Sequence, residues 1–288
     1  MVAIKKTGFE NERLQCLGIE PIRFSALKAK LPSQPERVEF YMLFIVTGGV
    51  GKHAVDFVEY PLCEGDLIFI RPGQVQEWYD YADLEGEVIL IEPTSLANET
   101  LSSLDNRPEL SLLHWPNMVS IDQGSRRDLL QSLQRIRRDF THFDSSPMDI
   151  ALIRHELLGL LLRIARGLSQ NNMDSSFSNR SLRTYYLFKV LLEEEYKQHH
   201  QLKFYAKRLG YAESTLSRAS IRAEGCSAKV MIDRRVSLEA KRMLVHSDAS
   251  VAEIGFYLGF SEATNFVKFF RRLEGCTPQQ FREQKLIK

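Results

Sequence analysis

The stretch Ile254–Pro278, IGFYLGFSEATNFVKFFRRLEGCTP, decides how this chain is to be read. Its first residues end a short amphipathic helix, Leu258-Gly259-Phe260 interrupts it, and a longer, more basic helical pattern starts at once. One continuous helix would satisfy the backbone more simply, so the break serves to set the second helix at an angle. In that second helix Phe266, Phe269, Phe270 and Leu273 fall at i, i+3, i+4 and i+7, a stripe that belongs in a core. Thr264, Lys268 and Arg271 lie on the other side, with Asn265 and Arg272 beside them. Gly275 then supplies the left-handed residue with which helices commonly stop.

The same pattern occurs earlier in the chain. Leu209-Gly210-Tyr211 precedes Leu258-Gly259-Phe260 by 49 positions, and Gly225-Cys226-Ser227 precedes Gly275-Cys276-Thr277 by 50. Each copy reads as a short helix, a turn of Leu, Gly and an aromatic residue, a longer helix and a glycine stop. This is the sequence form of a helix-turn-helix, whose second helix enters a DNA major groove. Charge agrees with that reading. The whole chain of 288 residues carries a net charge of only +1, but residues 181–288 hold 19 Lys and Arg against 12 Asp and Glu. A basic third on an acidic body points to a polyanion at one end only.

Upstream the period changes. FYMLFIVT (Phe40–Thr47), HAVDF (His53–Phe57), DLIFI (Asp66–Ile70) and EVILI (Glu87–Ile91) read as short strands, punctuated by glycine turns at the spacing of an antiparallel barrel or sandwich. From about Asp122 two amphipathic helices follow, one through Leu129, Leu130, Leu133, Ile136 and Phe140, the other through Ile150, Ile153, Leu157, Leu158, Leu161 and Ile164. GLSQNNMDSSFSNR (Gly167–Arg180) is polar and aperiodic, the composition of a linker. No apolar run is long enough for a membrane span, the N-terminus lacks the apolar core of a signal peptide, and the four cysteines are scattered. A cytoplasmic protein is expected.

From about Ser181 to Arg282, and most closely in SVAEIGFYLGFSEATNFVKFFRRLEGCTPQQFR, the chain resembles the DNA-binding domain of the AraC/XylS transcription regulators. The resemblance implies two helix-turn-helix units joined by a long helix, here Ala228–His246, with recognition helices in successive major grooves of double-stranded DNA. Carried over, the DNA-contacting residues are Ser214, Thr215, Ser217, Arg218 and Arg222 in the first unit. In the second they are Glu262, Thr264, Asn265, Lys268, Arg271 and Arg272. Short polar side chains read base edges, whereas Lys and Arg more often hold phosphates. The first unit departs from the family pattern: Ser220 and Ile221 stand where Phe and Lys are usual, and Ala228 where Pro is usual. Either Ile221 turns inward to replace the missing aromatic, or the unit is looser.

The run FYMLFIVTGGVGKHAVDFVEYPLCEGDLIFIRPGQVQEW resembles the same family's cupin-like regulatory barrel. The expected organisation is an all-β barrel over residues 1–121, a helical dimerisation segment over 122–167, a linker over 168–180 and an all-α DNA-binding domain over 181–288. The resemblance implies an activator more often than a repressor, a homodimer, and contact with RNA polymerase. Arg23, Tyr41, His53, Gln76 and Trp78 are the candidate lining of a small-molecule effector pocket. Cupin enzymes hold a metal through His and Glu, but here only His53 and Glu59 are near in sequence, and Gln76 is a poor ligand. No catalytic constellation, metal site or cofactor is expected. The alternatives are an AraC-type regulator controlled by a protein partner and a cupin metalloenzyme.

Overall fold

The computed structural model describes residues 6–7, 17–32, 34–96, 112, 115–171 and 179–286. They form two compact units, one within residues 5–173 and one within residues 174–288.

The N-terminal unit holds strands β1 (Lys6–Thr7), β2 (Ile19–Arg23), β3 (Glu36–Val38), β4 (Tyr41–Gly48), β5 (Val50–Val55), β6 (Val58–Cys63), β7 (Asp66–Ile70), β8 (Val75–Trp78), β9 (Glu85–Ile91) and β10 (Met118–Ser120). Short helices α1 (Phe24–Lys28) and α2 (Pro93–Leu96) accompany them, and α3 (Gln123–Thr141) and α4 (Pro147–Asn171) follow. The strands form two five-stranded sheets, ordered β1-β3-β8-β5-β6 and β10-β7-β4-β9-β2. The pairing is antiparallel except between β1 and β3. The expected cupin-like barrel thus takes the form of two open sheets. Met42, Phe44, Val46, Ile68, Ile70 and Val88 of the second sheet pack with Val38, Val55, Leu62 and Trp78 of the first. The alternate residues Leu43, Ile45, Leu67, Phe69 and Ile89 face the other way, onto Leu129, Leu133, Ile136, Ile153, Leu157 and Leu161 of α3 and α4. The second sheet is the middle of three layers, which is why β7 is buried along its whole length. Pro61, lacking an N–H, lies in β6 at the free edge of its sheet.

Two local expectations change. The strand beginning at His53 ends at Val55, because Asp56 and Phe57 both take left-handed angles (φ 51° and 71°) in the two-residue turn of the β5–β6 hairpin. Helix α4 continues past Gly167 to Asn171, into the segment expected as linker, while residues 172–178 lie outside the described residues. Asp122 caps α3, its carboxylate accepting from the backbone N–H groups of Gly124 and Ser125.

The C-terminal unit is helical: α5 (Asn179–Glu195), α6 (Leu202–Leu209), α7 (Glu213–Glu224), α8 (Ala228–His246), α9 (Val251–Tyr257), α10 (Ala263–Glu274) and α11 (Pro278–Leu286). The glycines of the repeat behave alike, Gly210 and Gly259 at φ 69° and 79° in the interhelical turns. Ser250 and Glu253 form a reciprocal capping box at the start of α9. Leu216 of α7 and Phe266 and Phe270 of α10 are fully buried with Phe188, Tyr205, Ile232, Val236, Ile254 and Leu258, so both recognition helices dock on a shared core around α8.

Candidate nucleic-acid interface

The two docked faces leave two outward faces. On α10, Thr264, Asn265, Lys268 and Arg271 are exposed, and Glu262 is exposed just before its first turn. Among the described residues Lys268 and Arg271 have no side-chain partner, whereas Thr264 donates its hydroxyl to Glu262 Oε2 at 3.1 Å. On α7, Ser214, Arg218 and Arg222 are exposed and Thr215 and Ser217 half-buried. Arg218 and Arg222 are also without a partner among the described residues. Two helices of one unit therefore each present short polar side chains and free cations.

Arg272 differs from the other arginines. Its guanidinium donates to Asp233 Oδ2 at 3.2 Å and lies 5.7 Å over the Phe269 ring, while Asp233 also accepts from Lys229 Nζ at 2.6 Å. Arg272 thus ties α10 to α8 while its side chain stays 60% exposed, and Asp233 is a residue the sequence reading missed. The C-terminal ends of both recognition helices are anchored as well. Glu274 accepts from Ser237 Oγ (2.6 Å) and Lys241 Nζ (3.3 Å) on α8, and Glu224 from Tyr185 OH and Lys189 Nζ (3.1 Å) on α5. Lys189 and the Tyr185 hydroxyl help hold the Glu224 carboxyl below its usual range against the opposing effect of burial, and burial pushes the Tyr185 phenol up.

The missing aromatic of the first unit is not replaced. Ile221 stays 50% exposed, and Ser220 is fully buried with its hydroxyl unpaired. The first unit carries a polar atom where the second carries Phe270.

In the N-terminal unit, three of the five candidate effector residues come together between the sheets. His53 is fully buried, stacks on Trp78 at 4.0 Å, and its Nε2 meets Gln76 Oε1 at 3.2 Å. Gln76 Nε2 donates to the buried Glu36 carboxylate at 2.8 Å, which identifies Gln76 Oε1 as acceptor and His53 Nε2 as donor. Among the described residues His53 Nδ1 and Trp78 Nε1 have no partner. Burial lowers the His53 pKa to about 3, so the ring is neutral. Phe24 and Phe44 pack beside Trp78, ring centroids 5.0 and 5.8 Å away. Tyr41 and Arg23 do not join this group. Tyr41 faces the helical layer and stacks on Phe69 at 5.9 Å, and Arg23 is exposed at the end of β2. Among the described residues no group of three or more His, Cys, Asp or Glu side chains is placed to hold a metal ion. No helix there is long and apolar enough to cross a membrane.

Comparison with known proteins agrees with this geometry at both ends of the chain. Residues 32–146 match the AraC-like ligand binding domain, and residues 205–284 match a helix-turn-helix domain. The chain is 26% identical over 265 residues to the HTH-type transcriptional activator RhaS of Escherichia fergusonii, covering 90% of this chain and 91% of that one. It is 22% identical over 262 residues to RhaS of an Enterobacter strain, with the same coverage. A solved structure of ToxT from Vibrio cholerae aligns over 92% of this chain and 97% of its own, at 10% identity and a TM-score of 0.41. Both matched domains, in this order and over nearly the full length of the relatives, place the chain in the AraC/XylS family of transcription regulators.

Proposed function

We propose that the protein is a sequence-specific, DNA-binding transcription activator whose hold on DNA is modulated by a small molecule bound in its N-terminal unit. The observation that carries the DNA reading is the pair α7 and α10. Fifty residues apart in sequence, they dock on one core and each present unpaired cations beside short polar side chains. Ser214, Thr215, Ser217, Thr264 and Asn265 suit base edges, and Arg218, Arg222, Lys268 and Arg271 suit bases or phosphates. Arg272 is assigned to the support of α10.

For the effector, His53 and Trp78, whose rings stack 4.0 Å apart, carry one unpaired acceptor, Nδ1, and one unpaired donor, Nε1–H. A neutral molecule bearing hydroxyl groups has the donors and acceptors these two atoms call for, and the Glu36 carboxylate bound to Gln76 disfavours an anion there. A homodimer is inferred through α4, whose inward face is spent on its own sheet while Met148, Leu152 and Leu162 stay exposed at 76%, 46% and 40%. Residues 122–167 would then serve both as cover for the sheet and as dimer contact, and the stretch joining α4 to α5, within the 168–180 expected, as linker. Contact with RNA polymerase and a cytoplasmic location are inferred from the family alone.

Selection of DNA from a random pool by the purified full chain tests the DNA reading. The expected motif has two sub-sites about one helical turn apart. Folded protein that enriches no sequence overturns it.

A further inference from the structure

The two helix-turn-helix copies are anchored alike but differ at one charge. The partners of Glu274, Ser237 and Lys241, lie 52 residues after Tyr185 and Lys189, the partners of Glu224. Helices α5 and α8 therefore correspond residue by residue at that offset, and α7 and α10 at an offset of 50. By this correspondence Arg222 of the first copy stands where Arg272 stands in the second, and Ser181 stands where Asp233 stands.

In the second copy the buried Asp233 carboxylate receives Arg272. In the first copy a hydroxyl-bearing residue takes its place, and among the described residues Arg222 has no acidic partner. A second difference opens the space between. Phe269, which packs on Phe260 at 5.1 Å under Arg272, corresponds to Ala219. Beside Ala219 lies a groove of about 400 Å³ lined by Ser181, Thr184, Tyr211, Thr215, Arg218 and Arg222. Four hydroxyl-bearing side chains and two unpaired guanidinium groups surround it.

We propose that this groove is a phosphate seat, in which a phosphate group takes the place that the Asp233 carboxylate takes in the second copy. Guanidinium groups bind phosphate oxygens through paired N–H donors, here Arg218 and Arg222, and the Tyr211 and Thr215 hydroxyls donate to the remaining lone pairs. Ser181 and Thr184 lie near the start of α5, where the helix dipole also favours an anion. The source is a backbone phosphate of bound DNA, an assignment that rests on the DNA-binding reading; the same chemistry accepts a free phosphate ester.

The test uses the full chain and two substitutions at one position. Ser181→Asp installs the carboxylate that the second copy has and neutralises Arg222 from within; Ser181→Asn alters shape without charge. DNA affinity is measured against salt, and inorganic phosphate is titrated in the absence of DNA with unfolding temperature as readout. If DNA supplies the phosphate, Ser181→Asp and Arg222→Ala each lower the slope of log affinity against log salt by about 0.9, roughly a 3.5-fold change between about 50 and 200 mM salt. The double variant adds nothing further, and Ser181→Asn leaves the slope alone. If the source is a free phosphate ester, the DNA slopes stay unchanged while inorganic phosphate saturably stabilises wild type and not Ser181→Asp. The seat is overturned if the variants match wild type in both measurements. Wild type without DNA affinity would overturn the DNA-binding reading, and the phosphate titration would still decide the seat. Should Ser181→Asp fail to fold, Arg222→Ala, at an exposed position, carries both measurements.

Discussion

Gly210 and Gly259 occupy the same place in the two copies, at nearly the same backbone angle, and differ in what surrounds them. A Cβ at Gly210 would have no heavy atom within 4 Å, whereas one at Gly259 would lie 2.3 Å from the backbone carbonyl oxygen of Lys197 and 3.3 Å from Gln198 Cα. Gly210→Ala therefore costs the left-handed conformation alone, about 1 kcal/mol. Gly259→Ala adds a clash with backbone just beyond α5 that no rotamer relieves. Overpacking of that kind costs about 1–3 kcal/mol more, for a total near 3 kcal/mol. In a domain of this size 1 kcal/mol moves the midpoint by about 4–8 °C. Far-ultraviolet circular dichroism of the full chain reports the helices of both units, so the part of its transition that shifts apart from the tryptophan signal belongs to the C-terminal unit. Both tryptophans, Trp78 and Trp115, lie in the N-terminal unit, so their fluorescence transition must stay in place. Equal shifts for the two variants would refute the packing argument at the second turn, and a shift of the tryptophan transition would refute the independence of its control.

Three further outcomes follow from the same geometry. His53 is held neutral with a pKa of about 3, below the 6.5 of an unfolded chain, so below pH 6.5 the unfolded state binds the extra proton. The N-terminal unit should lose stability as pH falls from 6.5 toward 3, by up to about 1.4 kcal/mol per pH unit, and His53→Gln should flatten that slope in urea melts followed by tryptophan fluorescence. Ser220→Ala removes a buried, unpaired hydroxyl and should raise the midpoint of the C-terminal unit by about 1 kcal/mol equivalent; a loss of stability would mean the hydroxyl has a partner. Asn265→Ala should relax base preference at particular positions by about 1–3 kcal/mol, while Lys268→Ala should weaken cognate and non-cognate DNA by similar factors in competition assays.

The repeat was legible in the sequence because it is written in glycines and a phenylalanine stripe, and the long helix lies where it was expected, at Ala228–His246. The strand faces were harder. Tyr41–Val46 is apolar at almost every position because its sheet is covered on both sides, so alternation could not tell that Tyr41 faces the helices while Met42 and Phe44 face the other sheet. The β5–β6 turn was missed because Asp56-Phe57 contains no glycine to mark its left-handed angles. Arg272 looked like any other cation on a basic helix. Only the packing of α10 on α8 brings Asp233, 39 residues away, to its guanidinium.

The central claim is that α7 and α10 grip one DNA molecule together, and a spacing experiment tests it most directly. Once the selected DNA is known, about five base pairs are inserted between its two sub-sites and the affinity of the full chain is measured at fixed low salt. Because α7 and α10 dock on one core around α8, the helices cannot follow a half-turn displacement. The account predicts that affinity drops to that of DNA carrying a single sub-site. Affinity unchanged by the insertion, or equal for DNA with one sub-site and with two, would contradict it.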